Sequence, residues 1–87
     1  MFLGVIVEIT SESDLPSAVQ LRERFADYGC VAYVDRINSK SGFIRFNNQS
    51  GAQNSIEKEE FYTLSLLTGQ SEERYWEMLI NKVNHIF

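Results

Sequence analysis

Two periodicities alternate along the chain. Gly4-Val5-Ile6-Val7-Glu8-Ile9 is β-branched with a period of two, which puts Val5, Val7 and Ile9 on one face of a strand and Ile6 and Glu8 on the other. Ser11-Glu12-Ser13-Asp14 is rich in helix-capping types, and Leu15-Pro16 follows, with the proline suited to a first helical turn. From Pro16 to Tyr28 the apolar positions Ala18, Leu21, Phe25 and Tyr28 recur at spacings of three and four. That is a helix with one buried stripe, and Gly29 is placed to stop it. Alternation returns from Val31 to Ile37, Asn38-Ser39-Lys40-Ser41-Gly42 reads as a turn, and Phe43-Ile44-Arg45-Phe46 as a short third strand. After the polar break Asn47-Asn48-Gln49-Ser50-Gly51, a helix is predicted from about Ala52 to Glu59, with Ala52 and Ile56 inward. Tyr62-Thr63-Leu64-Ser65-Leu66 alternates as a fourth strand, closed by Thr68-Gly69. Ser71 then caps a helix expected over 71–87, with Trp76, Leu79, Ile80, Val83 and Phe87 along one side.

The predicted order is strand, helix, strand, strand, helix, strand, helix. Its first six elements form the βαββαβ series of an α+β, ferredoxin-like sandwich, a four-stranded antiparallel sheet with two helices on one face. The seventh element has to pack on the open face. A helix over 71–87 is about 25 Å long at 1.5 Å per residue, longer than the ~15 Å width of four strands about 4.8 Å apart. Residues 1–87 are expected to form one domain, with 71–87 as its C-terminal helical extension.

Composition narrows the class. At 87 residues the chain is below the size at which domains divide, and 44% apolar with 23% charged is too apolar for disorder. No apolar run approaches the ~20 residues of a membrane span, and the N-terminus lacks the order of a signal peptide. One cysteine, Cys30, cannot close an internal disulfide, which suits a reducing compartment. A single His and a single Cys exclude a zinc site built from those ligands alone, and no metal or cofactor is implied. Twelve acidic residues against eight basic give a net charge of −4, which argues against broad, nonspecific binding to nucleic acid until the charges are placed.

Fold alone decides no function. One large user of this topology, the RNA recognition motif, stacks unpaired bases on aromatics of its first and third strands. Its third-strand signature is K/R-G-F/Y-G/A-F-V-x-F/Y. Aligning the final aromatic with Phe46 puts Ser39 at the basic position, Ser41 at the first aromatic and Phe43 at the second, while the outward position on strand one is Ile6. Two of three platform aromatics are absent, so an ordinary single-strand binder is disfavoured. Other chemistry shares that face. By alternation Tyr33 and Asp35 point away from Ala32 and Val34, hence out of the two-helix core, and Arg45 points the same way as Phe43. Tyr can stack on a base, Asp accepts hydrogen bonds from base amino groups, and Arg presents a planar fork to a guanine edge or a phosphate. The ordinary alternatives are a half-buried tyrosine beside a strand-end aspartate, and a surface ion pair from Arg45 to Glu8 or Asp35 worth about 0–1 kcal/mol.

Gly4-Val5-Ile6-Val7, Tyr33-Val34-Asp35, Arg45-Phe46, Ala52-Gln53, Leu64 to Gly69 and Glu72-Glu73-Arg74-Tyr75-Trp76 form one set over nearly the whole chain. Together they resemble the C-terminal extended RNA recognition motif (xRRM) of the La-related protein 7 family. The resemblance implies a degenerate aromatic platform covered by a third helix, with the Tyr-x-Asp pair and the strand-three Arg gripping bases of a stem-loop or bulge. Carried over, Tyr33, Asp35 and Arg45 become the RNA-reading set. Phe43 either stacks on a base or packs beneath the last helix, with packing favoured. Lys40, Arg74 and Lys82 lie on or beside the RNA side. The implied partners are a structured noncoding RNA, telomerase RNA in ciliates and fission yeast or 7SK in animals, and other proteins of the same ribonucleoprotein. No DNA or membrane partner is expected. A nuclear location and upstream domains in a larger protein are implied as well. Animal members continue into a strongly basic segment, whereas this chain ends at His85-Ile86-Phe87, and its last helix sets Arg74 and Lys82 against Glu72, Glu73 and Glu77. That balance leans toward a fungal, telomerase-type member.

Charge placement softens the objection from net charge. Glu23, Asp27, Glu57, Glu59 and Glu60 fall on or just after the first two helices, away from Lys40, Arg45, Arg74 and Lys82. Glu57-Lys58-Glu59-Glu60 reads as a solvated face, Trp76 as core, Cys30 as a small packing residue and His85 as an exposed or frayed terminal residue. The Tyr75-Trp76 pair reads as a packing anchor, with RNA contact by Tyr75 or Arg74 as the alternative. A protein-interaction domain is the competing class, with Ile6, Phe43 and Trp76 as its apolar patch. A small hydrolase of this fold needs an Arg-bearing phosphate loop after strand one, where Thr10-Ser11-Glu12-Ser13-Asp14 lacks glycine and arginine. With no nucleophile–base pair visible either, the chain is not read as an enzyme.

Overall fold

The computed structural model describes residues 3–85, with side chains as far as Asn81. Seven elements follow in the predicted order: β1 (Ile6–Thr10), α1 (Ala18–Phe25), β2 (Val31–Asn38), β3 (Ser41–Phe46), α2 (Gln49–Lys58), β4 (Thr63–Leu66) and α3 (Gly69–His85). The strands form one antiparallel sheet ordered β2-β3-β1-β4. Leu21 and Phe25 of α1 and Ala52 of α2 pack with Val7, Ile9, Val31, Val34, Ile44 and Phe46 on one face. On the other face, Tyr75 of α3 joins Val5, Ile6 and Leu67 in a second buried cluster. This is the ferredoxin-like sandwich with a third helix across its open face.

The helix starts differ from expectation for local reasons. α1 begins after Ser17, whose Oγ accepts from the Gln20 N–H at 3.2 Å while Gln20 Oε1 accepts from the Ser17 N–H at 3.1 Å. This reciprocal capping box leaves Pro16 outside the helix and Ala18 exposed. α2 begins at Gln49 because Asn48 Oδ1 accepts from the Gly51 N–H at 3.0 Å, so the polar run that reads as a break is a cap and a first turn. Gly51 is then in place to meet Gly29, where a Cβ would come within 2.5 Å of the Gly51 Cα.

Two side chains overturn their sequence reading. Glu59 is buried, not solvated: its carboxylate accepts from Arg24 Nε and Nη2 at 2.8 Å each, from the Tyr28 hydroxyl at 3.0 Å and from the Phe61 N–H at 2.9 Å. A charge run looks uniform in sequence, but the chain turns out of α2 at Glu59 and points this one carboxylate back at α1. Those bonds, Arg24's foremost, outweigh burial and pull its pKa from 4.5 to about 2. Cys30 is exposed, not packed, and its Sγ accepts from Asn47 Nδ2 at 2.9 Å. The side chains of Lys82, Val83, His85 and Phe87, which carried expectations, lie outside the described residues.

Candidate nucleic-acid interface

Strand register lays the open face out in two cross-strand rows. Tyr33 pairs with Arg45 and Arg45 with Ile6, forming one row; Asp35, Phe43, Glu8 and Ser65 form the next. A bulge between Val31 and Tyr33 sets the phase. It turns Val31 and Val34 into the main core, and Ala32, expected inward, is only half-buried. Tyr33 and Asp35 keep the predicted outward face.

α3 then closes over the first row. Gly69 adopts φ +56°, a left-handed conformation suited to glycine, where the chain leaves β4 and enters the helix. Ser71, expected as the cap, lies inside the first turn. Glu72 is buried and its Oε2 accepts from the Gly4 N–H at 2.7 Å, tethering α3 to the entry of β1. The buried stripe is therefore Glu72, Tyr75, Trp76 and Leu79, and Ile80, expected inward, is 51% exposed. Tyr75 is buried, edge-on to Phe43 at 5.3 Å and to Trp76 at 5.4 Å between centroids. Trp76 is half-buried, not core, and its buried indole Nε1 finds no acceptor among the described residues. Ile6 lies fully buried beneath this helix, so Ile6, Phe43 and Trp76 form no exposed apolar patch.

Arg45 occupies the junction. Its guanidinium carbon is 5.6 Å from the Tyr33 ring centre and 5.4 Å from that of Trp76, and Nη1 is 3.5 Å from the Tyr75 hydroxyl. Each cation–π contact contributes about 0.5–1 kcal/mol. The surface ion pair to Glu8 or Asp35 is not formed; among the described residues the only ion pair is Arg24–Glu59. A cation held by π faces and a phenol keeps most of its five N–H donors open to a ligand. Burial pushes the Tyr75 phenol up, so it stays a neutral hydroxyl near neutral pH. Tyr33 is half exposed beside this fork, and Asp35 stands on the same face in the next row.

The remaining predicted residues are spread out. Phe43 is half-buried and packs under Tyr75. Lys40 sits at the tip of the β2–β3 hairpin, about 17 Å along the strand from Arg45 at ~3.4 Å per residue. Arg74 lies across Tyr75 from this junction, in a pocket with Glu8. Sequence reasoning missed Tyr75 and Trp76 as the partners of Arg45. The available signal was their place on the buried stripe of a helix that has only this face to cover. Among the described residues no cluster of His, Cys, Asp or Glu is arranged to hold a metal, and no helix is long and apolar enough to cross a membrane.

Comparison with known proteins bears on the fold and the family. A family model described as an RNA binding motif matches residues 4–85. La-related protein 7 of Danio rerio is 33% identical over 84 residues, covering 88% of this chain and 15% of that protein. La-related protein 7 of Rattus norvegicus is 32% identical over the same shares. The chain thus spans about 15% of the length of these curated relatives. A solved structure of the Nab3-RRM, concerned with cis element recognition of non-polyadenylated RNAs, superposes with a TM-score of 0.65. It covers 78% of this chain and 100% of its own at 21% identity, a likeness of fold.

Proposed function

Because the chain belongs to the RNA binding motif family, with La-related protein 7 among its relatives, we propose that it is the RNA-reading domain of a larger protein and grips a stem-loop or bulge of a noncoding RNA through Tyr33, Asp35 and Arg45. The posture of Arg45 carries this reading: a guanidinium held against two aromatic rings, with no ion-pair partner among the described residues. An unpaired base stacks on Tyr33, gives its amino hydrogens to Asp35, and meets the Arg45 fork at its edge or phosphate. Phe43 supports Tyr75 from below, and Arg74, Lys40 and Lys82 supply outer phosphate contacts. The module has no catalytic residues, acts in the nucleus, and helps assemble a ribonucleoprotein with other proteins.

Telomerase RNA, bound by a fungal-type member, is the first candidate. An α3 with three glutamates against Arg74 and Lys82 supports few phosphate contacts, although Glu72 is turned inward and leaves Glu73 and Glu77 to balance the two cations. The likeness to vertebrate La-related protein 7 favours the alternative, 7SK RNA. A protein-interaction role loses its expected apolar patch to α3. The test is binding of the 87-residue chain to hairpins from both RNAs, with an unpaired RNA as control. Arg45→Ala and Tyr33→Ala should each weaken hairpin binding at least about tenfold, ~1.4 kcal/mol, with the fold intact by circular dichroism. Binding indifferent to both substitutions, or no binding by the folded wild type, refutes the site, and the preferred hairpin identifies the RNA.

A further inference from the structure

Tyr75 is a wall with a second compartment behind it. On the β1 side of α3 lies a pocket of ≈ 220 Å³ whose lining includes Glu8, Phe43, Leu67, Ser71, Arg74 and Tyr75. Phe43 and Tyr75 give it aromatic rings set edge to face, and Leu67 adds apolar surface. Glu8 stands between Phe43 and Ser65 in the second cross-strand row, half-buried. Neither the Glu8 carboxylate nor the Arg74 guanidinium makes a hydrogen bond or an ion pair among the described residues, although both line the same pocket. Charges without a protein partner are left to water, which a ligand carrying the complementary groups can displace.

The pocket's chemistry selects a ligand: planar, bearing adjacent N–H donors on one edge and an anion elsewhere. Among nucleotides, guanine alone presents two neighbouring donors, N1–H and the N2 amino group, to the two oxygens of one carboxylate. Uracil offers N3–H flanked by two carbonyls that repel a carboxylate. Adenine and cytosine each set one amino donor beside a ring acceptor. We propose that this pocket is a second nucleotide subsite that selects an unpaired guanine, with Glu8 reading the base edge and Arg74 holding a phosphate. The inference rests on the RNA reading of the open face and adds a position to it. RNA would then pass from the Tyr33–Arg45 junction, past Tyr75, to the Glu8 side, so two unpaired nucleotides are gripped on opposite sides of one helix.

The probes are the four nucleoside 5′-monophosphates, titrated into the isotope-labelled chain and followed by NMR at Phe43, Leu67 and Tyr75. Guanosine monophosphate should bind tightest. Glu8→Gln, nearly isosteric, should cost about tenfold for guanosine monophosphate, as expected for one bidentate base contact. It should leave uridine monophosphate within twofold and the melting temperature unchanged. Arg45→Ala should leave guanosine monophosphate binding in this pocket within twofold. In the hairpin assay, Glu8→Gln should discriminate only among hairpins that carry an unpaired guanine. Hairpins bound equally by wild type and Glu8→Gln, with no guanosine monophosphate signal at Phe43 and Tyr75, overturn the subsite and leave the Arg45 site standing. Failure of every hairpin, with Glu8-dependent guanosine monophosphate binding retained, keeps the subsite and removes the hairpin reading. Four mononucleotides binding alike, or shifts confined to Tyr33 and Arg45, overturn the selection of guanine.

Discussion

Arg24 and Arg45 are built from similar parts. Arg24 has its guanidinium carbon 5.6 Å from the Phe61 ring centre and 5.2 Å from that of Tyr62; Arg45 has Tyr33 and Trp76 at 5.6 and 5.4 Å. The third partner separates them. Arg24 donates two hydrogen bonds to the buried Glu59 carboxylate, which also accepts from Tyr28 and Phe61. Among the described residues the only hydrogen-bond partner of the Arg45 guanidinium is the Tyr75 hydroxyl, at 3.5 Å. A bidentate carboxylate satisfies the planar fork and fixes it. A phenol at the limit of hydrogen-bond length leaves the fork pre-oriented by its rings and open to a stronger acceptor. The two clusters teach that arginine–aromatic stacking is not by itself the mark of a binding site. The unfilled acceptor position is what sets Arg45 apart from Arg24.

The strongest way to break the comparison is to remove the carboxylate. Glu59→Ala strands Tyr28, the Phe61 N–H and one face of Arg24 together. We expect a stability loss toward the lower end of about 3–5 kcal/mol, because Arg24 remains 44% exposed and water screens part of the pair. The same group sets the acid limb. With its folded pKa lowered from 4.5 to about 2, the stability Glu59 contributes is present above 4.5 and is lost as pH falls from 4.5 toward 2. Urea melts across that window should fall steeply for the wild type and flatly for Glu59→Gln. Parallel acid limbs would show that the pair is not what holds α1 to the end of α2.

Next in size is the contrast in RNA binding. Arg24→Ala should leave hairpin affinity unchanged once folding is corrected for. The dependence of log affinity on log salt should be shallower than about −5 for the wild type, from the rule of about −0.9 per phosphate neutralised. Arg45→Ala should reduce that slope by about one if Arg45 holds a phosphate, and hardly at all if it reads a base edge. A slope steeper than −5 would mean that phosphate contacts dominate, against the acidic balance of the chain.

The contrast between these clusters was half legible in the sequence. Period-two and helical patterns located all seven elements, and alternation placed Tyr33, Asp35 and Arg45 on one face because strand pleating is a local rule. What escaped depends on where chain segments meet. The bulge at β2 exchanges Ala32 for Val31 without changing composition or pattern enough to be seen. Asn48 caps a helix from within a run that also suits a loop. Glu59 is one of four charged or polar neighbours, and only the turn out of α2 distinguishes it. Ile6 reads as a vacant platform position until Tyr75 covers it, and Arg45's second ring, Trp76, comes from a helix whose rotation is set by a tether between Glu72 and Gly4.

The finest probe is Tyr75→Phe. It keeps the ring that packs on Val5, Ile6 and Leu67 and removes only the hydroxyl facing Arg45. A contact of 3.5 Å contributes at most the low end of a net hydrogen bond, about 0.5 kcal/mol. Melting should therefore barely move, and hairpin affinity should change by less than about threefold. That outcome would mean the two rings alone orient the fork. A loss of tenfold or more with unchanged stability would mean that the hydroxyl aims Arg45 as Glu59 aims Arg24. The two clusters would then differ in the strength of their third partner and not in its presence.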